Sequence, residues 1–118
     1  MTTKQIGDFG EDAACRYLES ENIKVLKRNY RERGGEIDII AKDGNTIVFA
    51  EVKTRISQNY GTPAEFVGYK KQEKIIKTAV SYLGSEDIDM RFDVVEVMYK
   101  KDGENLFVTE INHIKGAF

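Results

Sequence analysis

Residues 35–55 read G-E-I-D-I-I-A-K-D-G-N-T-I-V-F-A-E-V-K-T-R. Two strands joined by a tight turn account for them. Ile37, Ile39 and Ala41 alternate with Glu36, Asp38 and Ile40, and Val48, Ala50 and Val52 alternate with Ile47, Phe49, Glu51, Lys53 and Arg55. Successive side chains of a strand point to opposite faces, so each strand carries an apolar face and a face bearing charge. Asp43-Gly44 is a hairpin signal, because both residues tolerate positive φ.

Parity decides what that charged face does. An even loop, Asp43-Gly44 or residues 43–46, puts Asp38 and Glu51 on one face; an odd loop without a bulge separates them. On the even reading Glu36, Asp38, Glu51 and Lys53 converge, since opposite and diagonal neighbours lie within about 4.5–8 Å. Two carboxylates about 5 Å apart repel by roughly 3 kcal/mol at an effective dielectric near 20. A proton, a cationic side chain or a metal relieves this. Hard divalent cations such as Mg²⁺ take one or two carboxylates, with waters and substrate phosphate completing the shell. Lys53 can orient or deprotonate a water, or stabilise charge developing on phosphorus. The residue types suit metal-assisted phosphodiester hydrolysis. A structural ion network, with Lys53 simply neutralising Asp38 and Glu51, uses the same residues.

Working outward, residues 8–21 read as a helix with Phe9, Ala13, Ala14, Tyr17 and Leu18 as its apolar stripe. Glu11 falls at the edge of that stripe, and Asp12 lies further round toward solvent. Acidic residues in a first turn also complement the helix dipole. Residues 23–31 read as a strand and residues 31–35 as a polar turn, from which the Arg31 and Arg33 forks could reach phosphate. Residues 56–67 read as a loop beside the charged face. Tyr60 within it could stack on a base or pack beneath the loop. Residues 69–83 read as a second helix with Ile75, Ile76, Ala79, Val80 and Leu83 buried, stopped by Gly84. Its Lys70, Lys74 and Lys77 lie opposite the stripe, and Lys70 and Lys71 stand nearest the loop. Residues 90–99 and 106–111 read as strands. Asp93 is expected to pair an arginine or cap a neighbour, and His113 to sit at the surface. The order α-β-β-β-α-β-β predicts a mixed β-sheet flanked by helices, with a parallel crossover through the second helix.

The 118 residues fit one domain, residues 1–118, with 41% hydrophobic and 32% charged composition. No signal peptide or membrane-length apolar run is present. Cys15 is the only cysteine, which excludes an intramolecular disulfide and fits a reducing cytoplasm. One Cys and one His argue against zinc of the usual Cys/His type. Net charge is −2, unlike a protein that coats nucleic acid non-specifically. Basic runs at residues 24–33 and 70–77 nevertheless offer a local footprint for nucleic acid, or simply two solvated faces.

Asp38 followed by Glu51-Val52-Lys53 on a second strand resembles the PD-(D/E)XK nuclease signature. Residues 1–97 further resemble the YraN-like family of that superfamily, which is similar to archaeal Holliday junction resolvases. The matching pieces are G-D-F-G-E-D-A-A at 7–14, R-N-Y-R at 28–31, G-E-I-D-I-I at 35–40, E-V-K-T-R at 51–55, Y-G-T-P at 60–63 and R-F-D-V-V at 91–95. Ile37, rather than Pro, precedes Asp38. The resemblance implies a restriction-endonuclease-like α/β fold and a Mg²⁺- or Mn²⁺-dependent endonuclease acting on DNA, branched DNA included. It assigns metal binding to Asp38, Glu51 and Glu11 and catalysis to Asp38, Glu51 and Lys53; Glu36, adjacent to them, could support the metal ligands. From their places in the chain, Arg31 and Arg33 in the turn, Arg55 after the charged strand positions, and Lys70 and Lys71 at the start of the second helix are the expected nucleic-acid contacts, and a junction-cutting member is expected to act as a homodimer. The same fold with little or no cleavage would be a nucleic-acid-binding module.

Overall fold

A computed structural model describes residues 1–57 and 67–118. The elements are α1 (Thr3–Ser20), β1 (Lys24–Glu32), β2 (Gly35–Asp43), β3 (Thr46–Ile56), α2 (Tyr69–Leu83), β4 (Met90–Asp102) and β5 (Asn105–Ile114). This is the α-β-β-β-α-β-β order expected from the sequence. The five strands form one mixed sheet in the order β1-β2-β3-β4-β5. β3 and β4 run parallel, and the other neighbours are antiparallel. The expected role of Tyr60, and the Y-G-T-P run at 60–63, fall outside the described residues. Among the described residues, no helix is long and apolar enough to cross a membrane.

The hairpin turn is Gly44-Asn45, one residue later than the Asp43-Gly44 signal, with Gly44 at φ 61°. Asp43 pairs with Thr46, so the loop has an even number of residues. α1 begins earlier than the apolar stripe suggests, at Thr3 rather than Asp8. The cause is a capping box: the Gln5 N–H donates to Thr2 Oγ1 at 3.1 Å, and the Thr2 N–H donates to Gln5 Oε1 at 2.8 Å.

The helices cover opposite faces of the sheet. Ala13, Ala14 and Leu18 of α1 pack on Ile39, Ala41, Val48, Ala50, Val95 and Val97. On the other face Ile75 and Ala79 of α2 pack on Ile37, Ile40, Phe49 and Val94. Each large apolar side chain so buried contributes roughly 1.5–3 kcal/mol. The α2 stripe differs from expectation: Ile76 is exposed and Thr78 is buried in its place. The Thr78 hydroxyl tolerates this by donating to the Lys74 carbonyl at 2.7 Å. α2 ends at Gly84, which is left-handed at φ 71° and donates its N–H to the Val80 carbonyl.

A buried polar cluster ties β4 and β5 to α1. Asp93 is fully buried. It accepts from Arg91 Nε at 2.8 Å and Nη2 at 3.0 Å, and from the Gly116 N–H at 3.0 Å. Its Oδ2 lies 2.7 Å from His113 Nε2, and His113 Nδ1 lies 3.3 Å from Tyr17 Oη. The surface position expected for His113 is therefore wrong. The sequence extends β5 to Ile114, and strand alternation turns His113 inward beneath Tyr17. Burial works against the Asp93 carboxylate, but His113, Arg91 and the Gly116 N–H outweigh it and lower its pKa to about 2.

Candidate functional site

The ladder between β2 and β3 runs regularly from Asp43↔Thr46 to Ile39↔Ala50 and stops there. One step further would set Asp38 opposite Glu51. Instead the Asp38 side chain takes over: its Oδ2 accepts the Val52 N–H at 2.8 Å. The alternation of β2 slips at the same point. Ile37 and Ile40 both pack toward α2, whereas Ile39 and Ala41 pack toward α1. A regular strand cannot put residues three apart on one face. β1 shares the irregularity. Its pairs Arg28↔Ile39 and Tyr30↔Ile37 bracket Asn29, which is left-handed at φ 52°. That conformation is uncommon outside glycine and is best tolerated by Asn and Asp.

The parting lets groups from both faces act on Asp38. Its pKa is pushed up to about 7, first by burial and then by the charge of Glu51, with a smaller push from Glu11. The Val52 N–H opposes the rise. Glu51 is itself buried, and its Oε1 lies 2.5 Å from Lys71 Nζ at the first turn of α2. Burial works against the Lys71 ammonium, but Glu51, Asp38 and Glu36 outweigh it and raise its pKa.

Glu11 reaches the parting from α1. Gly10 makes this approach possible, because a Cβ there would stand 1.8 Å from Thr54 Oγ1 on β3. The Glu11 side chain is only 14% exposed, against 50% for Asp12. Burial raises the pKa of Glu11; a hydrogen bond from Asn29 and the charge of Arg28 oppose the rise. Its Oε2 is buried with no hydrogen-bond partner; the Arg28 guanidinium stands 3.9 Å from that atom and bonds Asp12 at 2.7 Å.

The remaining expected residues are distributed around this centre. Lys53 follows Glu51 by two residues on β3, hence on the same face, and makes no ion pair among the described residues. Glu36 does not join the carboxylates. β2 has already left β3, and Glu36 instead lies 3.4 Å from Arg31, with two-thirds of its side chain exposed. Arg33 is exposed in the turn between β1 and β2. Arg55 Nη1 bonds Glu96 at 3.2 Å. Arg31, Glu36, Lys70, Lys71, Lys74 and Ile75 line a groove of about 610 Å³ between the β1–β2 turn and α2. Lys77 does not line it. Gly35 lets the turn lie close to α2, since a Cβ there would meet Thr78 Oγ1 at 2.0 Å.

Sequence reasoning missed two contributions. Asn29 lay within the quoted R-N-Y-R run, but its left-handed backbone accompanies the slip in β2, which the sequence does not show. The tie of Lys71 to Glu51 depends on how α2 crosses the sheet. The capacity of Asn for positive φ was the one available signal.

Among the described residues, no group of three or more His, Cys, Asp and Glu side chains is close enough to hold an ion. Asp38 and Glu51 meet as a pair, with Glu11 outside it. In type the donors suit Mg²⁺ or Mn²⁺: two hard carboxylates, and nearby the unsatisfied Oε2 of Glu11.

Comparison with known proteins places residues 10–97 in a family described as "Uncharacterised protein family UPF0102". A UPF0102 protein of Caldicellulosiruptor bescii is 50% identical over 122 aligned residues, covering all of both chains. One from Geobacter metallireducens is 45% identical, covering all of this chain and 95% of its own. One from Caldanaerobacter subterraneus is 43% identical, covering all of this chain and 98% of its own. The chain belongs to the UPF0102 family, of the YraN-like kind.

Proposed function

We propose that the protein is a Mg²⁺- or Mn²⁺-dependent endonuclease that hydrolyses phosphodiester bonds in DNA, branched DNA among its substrates. One observation supports this above the others. Where β2 parts from β3, the buried Asp38 carboxyl lies against the charge of Glu51 and is pushed up to about 7. Structural carboxylates are normally satisfied, as Asp93 is; a strained pair at an irregularity marks a site better suited to another ligand. Asp38 and Glu51 would hold the ion directly, and Glu11 through a water. A bound divalent ion would supply Lewis acidity toward a phosphoryl oxygen and a more acidic water. Lys53, on the same face as Glu51, would orient the attacking water or accept its proton. Arg31, Lys70 and Lys74 along the groove would hold the phosphate backbone, with Arg33 and Arg55 at its approaches.

A second reading is a nucleic-acid-binding module with little or no cleavage. It is favoured by the Lys71–Glu51 contact, which already neutralises one of the carboxylates. Incubation with plasmid, single-stranded and four-way-junction DNA in Mg²⁺ or Mn²⁺ separates the two. The enzyme reading expects cleavage that Asp38→Asn, Glu51→Gln and Lys53→Ala each abolish. Binding without cleavage would leave the module. Cleavage that survives all three substitutions would place the activity elsewhere.

A further inference from the structure

The Lys71 ammonium occupies the position on Glu51 where an external cation would add its charge. Its Nζ is 2.5 Å from Glu51 Oε1, and half of its side chain is exposed. The same side chain lines the groove between the β1–β2 turn and α2. It therefore touches a buried carboxylate at one end of its range and an open, largely basic channel at the other. A flexible four-carbon stem permits both positions without movement of α2.

We propose that Lys71 is a displaceable internal cation: it holds Glu51 when no divalent ion is bound, and a divalent ion must expel it into the groove to bind the Asp38–Glu51 pair. This rests on the metal reading of that pair and adds a competitor built into the chain. A divalent ion on Glu51 and the Lys71 ammonium repel each other at short range, so binding of the ion weakens the hold of Glu51 on Lys71. Expelled Lys71 joins Lys70, Lys74 and Arg31 in the groove and raises its positive charge. By linkage, a polyanion there favours the metal-bound state, and the ion in turn favours the polyanion.

The test measures Mn²⁺ affinity from the paramagnetic resonance signal of free ion, for wild type, Lys71→Met and Lys70→Met. Lys71→Met keeps most of the side-chain volume and removes the charge. It should tighten Mn²⁺ binding about tenfold, within the usual range of coupling between sites. Lys70→Met removes an equal charge that does not touch Glu51, and should change the affinity less than about twofold, because solvent screens exposed charge. A second readout needs no substitution. In wild-type protein labelled with ¹³C at lysine Cε, saturating Mg²⁺ should move the Lys71 signal and leave that of Lys70 in place. Unchanged or weaker Mn²⁺ binding in Lys71→Met, with wild type binding, would overturn the displacement and leave the metal site standing. A static Lys71 signal at Mg²⁺ saturation would do the same. Absence of binding in all three proteins would overturn the displacement and the metal site together.

Discussion

Two aspartates in the same sheet have opposite fates. Asp93 on β4 is surrounded by an arginine, a histidine and a backbone N–H, and its pKa falls to about 2. Asp38 on β2 has one backbone donor and two acidic neighbours, and its pKa climbs to about 7. Asp93 pairs in register with Ala50 of β3 just before the β4–β5 ladder begins, whereas the β1–β2 pairs skip Asp38 and the β2–β3 ladder stops short of it. The contrast teaches that burial alone does not decide whether a carboxylate supports the fold. The supply of donors decides it: one site is complete, and the other has capacity left over for something outside the chain.

Substitution tests this contrast most strongly. Asp93→Ala leaves Arg91, His113 and the Gly116 N–H without their acceptor, and should destabilise the protein by about 3–5 kcal/mol in denaturant unfolding. Asp38→Asn keeps an oxygen for the Val52 N–H and removes the repulsion, so it should be neutral or stabilising above neutral pH. Equal losses from both would dissolve the distinction.

The pH dependence should differ in sign. The folded pKa of Asp38 lies above its ordinary 3.8, so the stability linked to it is present in acid and is lost as pH rises from about 4 to about 7. That loss is on the order of 2–4 kcal/mol and belongs to the Asp38–Glu51 pair. Asp93 behaves oppositely. Its folded pKa lies below 3.8, so its contribution is present above that value and is lost as pH falls through about 2. Unfolding curves across pH should lose the neutral-side slope in Asp38→Asn and the acid-side slope in Asp93→Asn.

Smaller effects concern the residues that bring Glu11 to the parting. Gly10→Ala drives a methyl into Thr54 and should cost about 1–3 kcal/mol, partly restored by Thr54→Ala in the same chain. Asn29→Ala should cost roughly 1–2 kcal/mol, the usual penalty for a left-handed residue, whereas Asn29→Gly should cost less. Thermal unfolding of the four variants checks both statements.

Much of this was legible in the sequence. The period-two alternation of residues 35–55 carried the hairpin, and an even loop put Asp38 against Glu51 even though the turn lies one residue later. Residues 69–83 carried their helix to the residue, because Gly84 ends it. The slip in β2 was not legible. It depends on Ile37 finding room toward α2, and it removes Glu36 from a cluster that uninterrupted pairing would have completed. Nor was the attachment of Lys71 to Glu51, which needs the path of α2 over the sheet. His113 was misplaced because the strand continues beyond residue 111 to bury it.

The central claim is that Asp38 and Glu51 form a site for a divalent cation. Calorimetric titration of Mn²⁺ into wild type and Asp38→Asn tests it most directly. The account predicts a saturable isotherm for wild type that collapses in the variant. The same isotherm for both, whether binding or none, would contradict it.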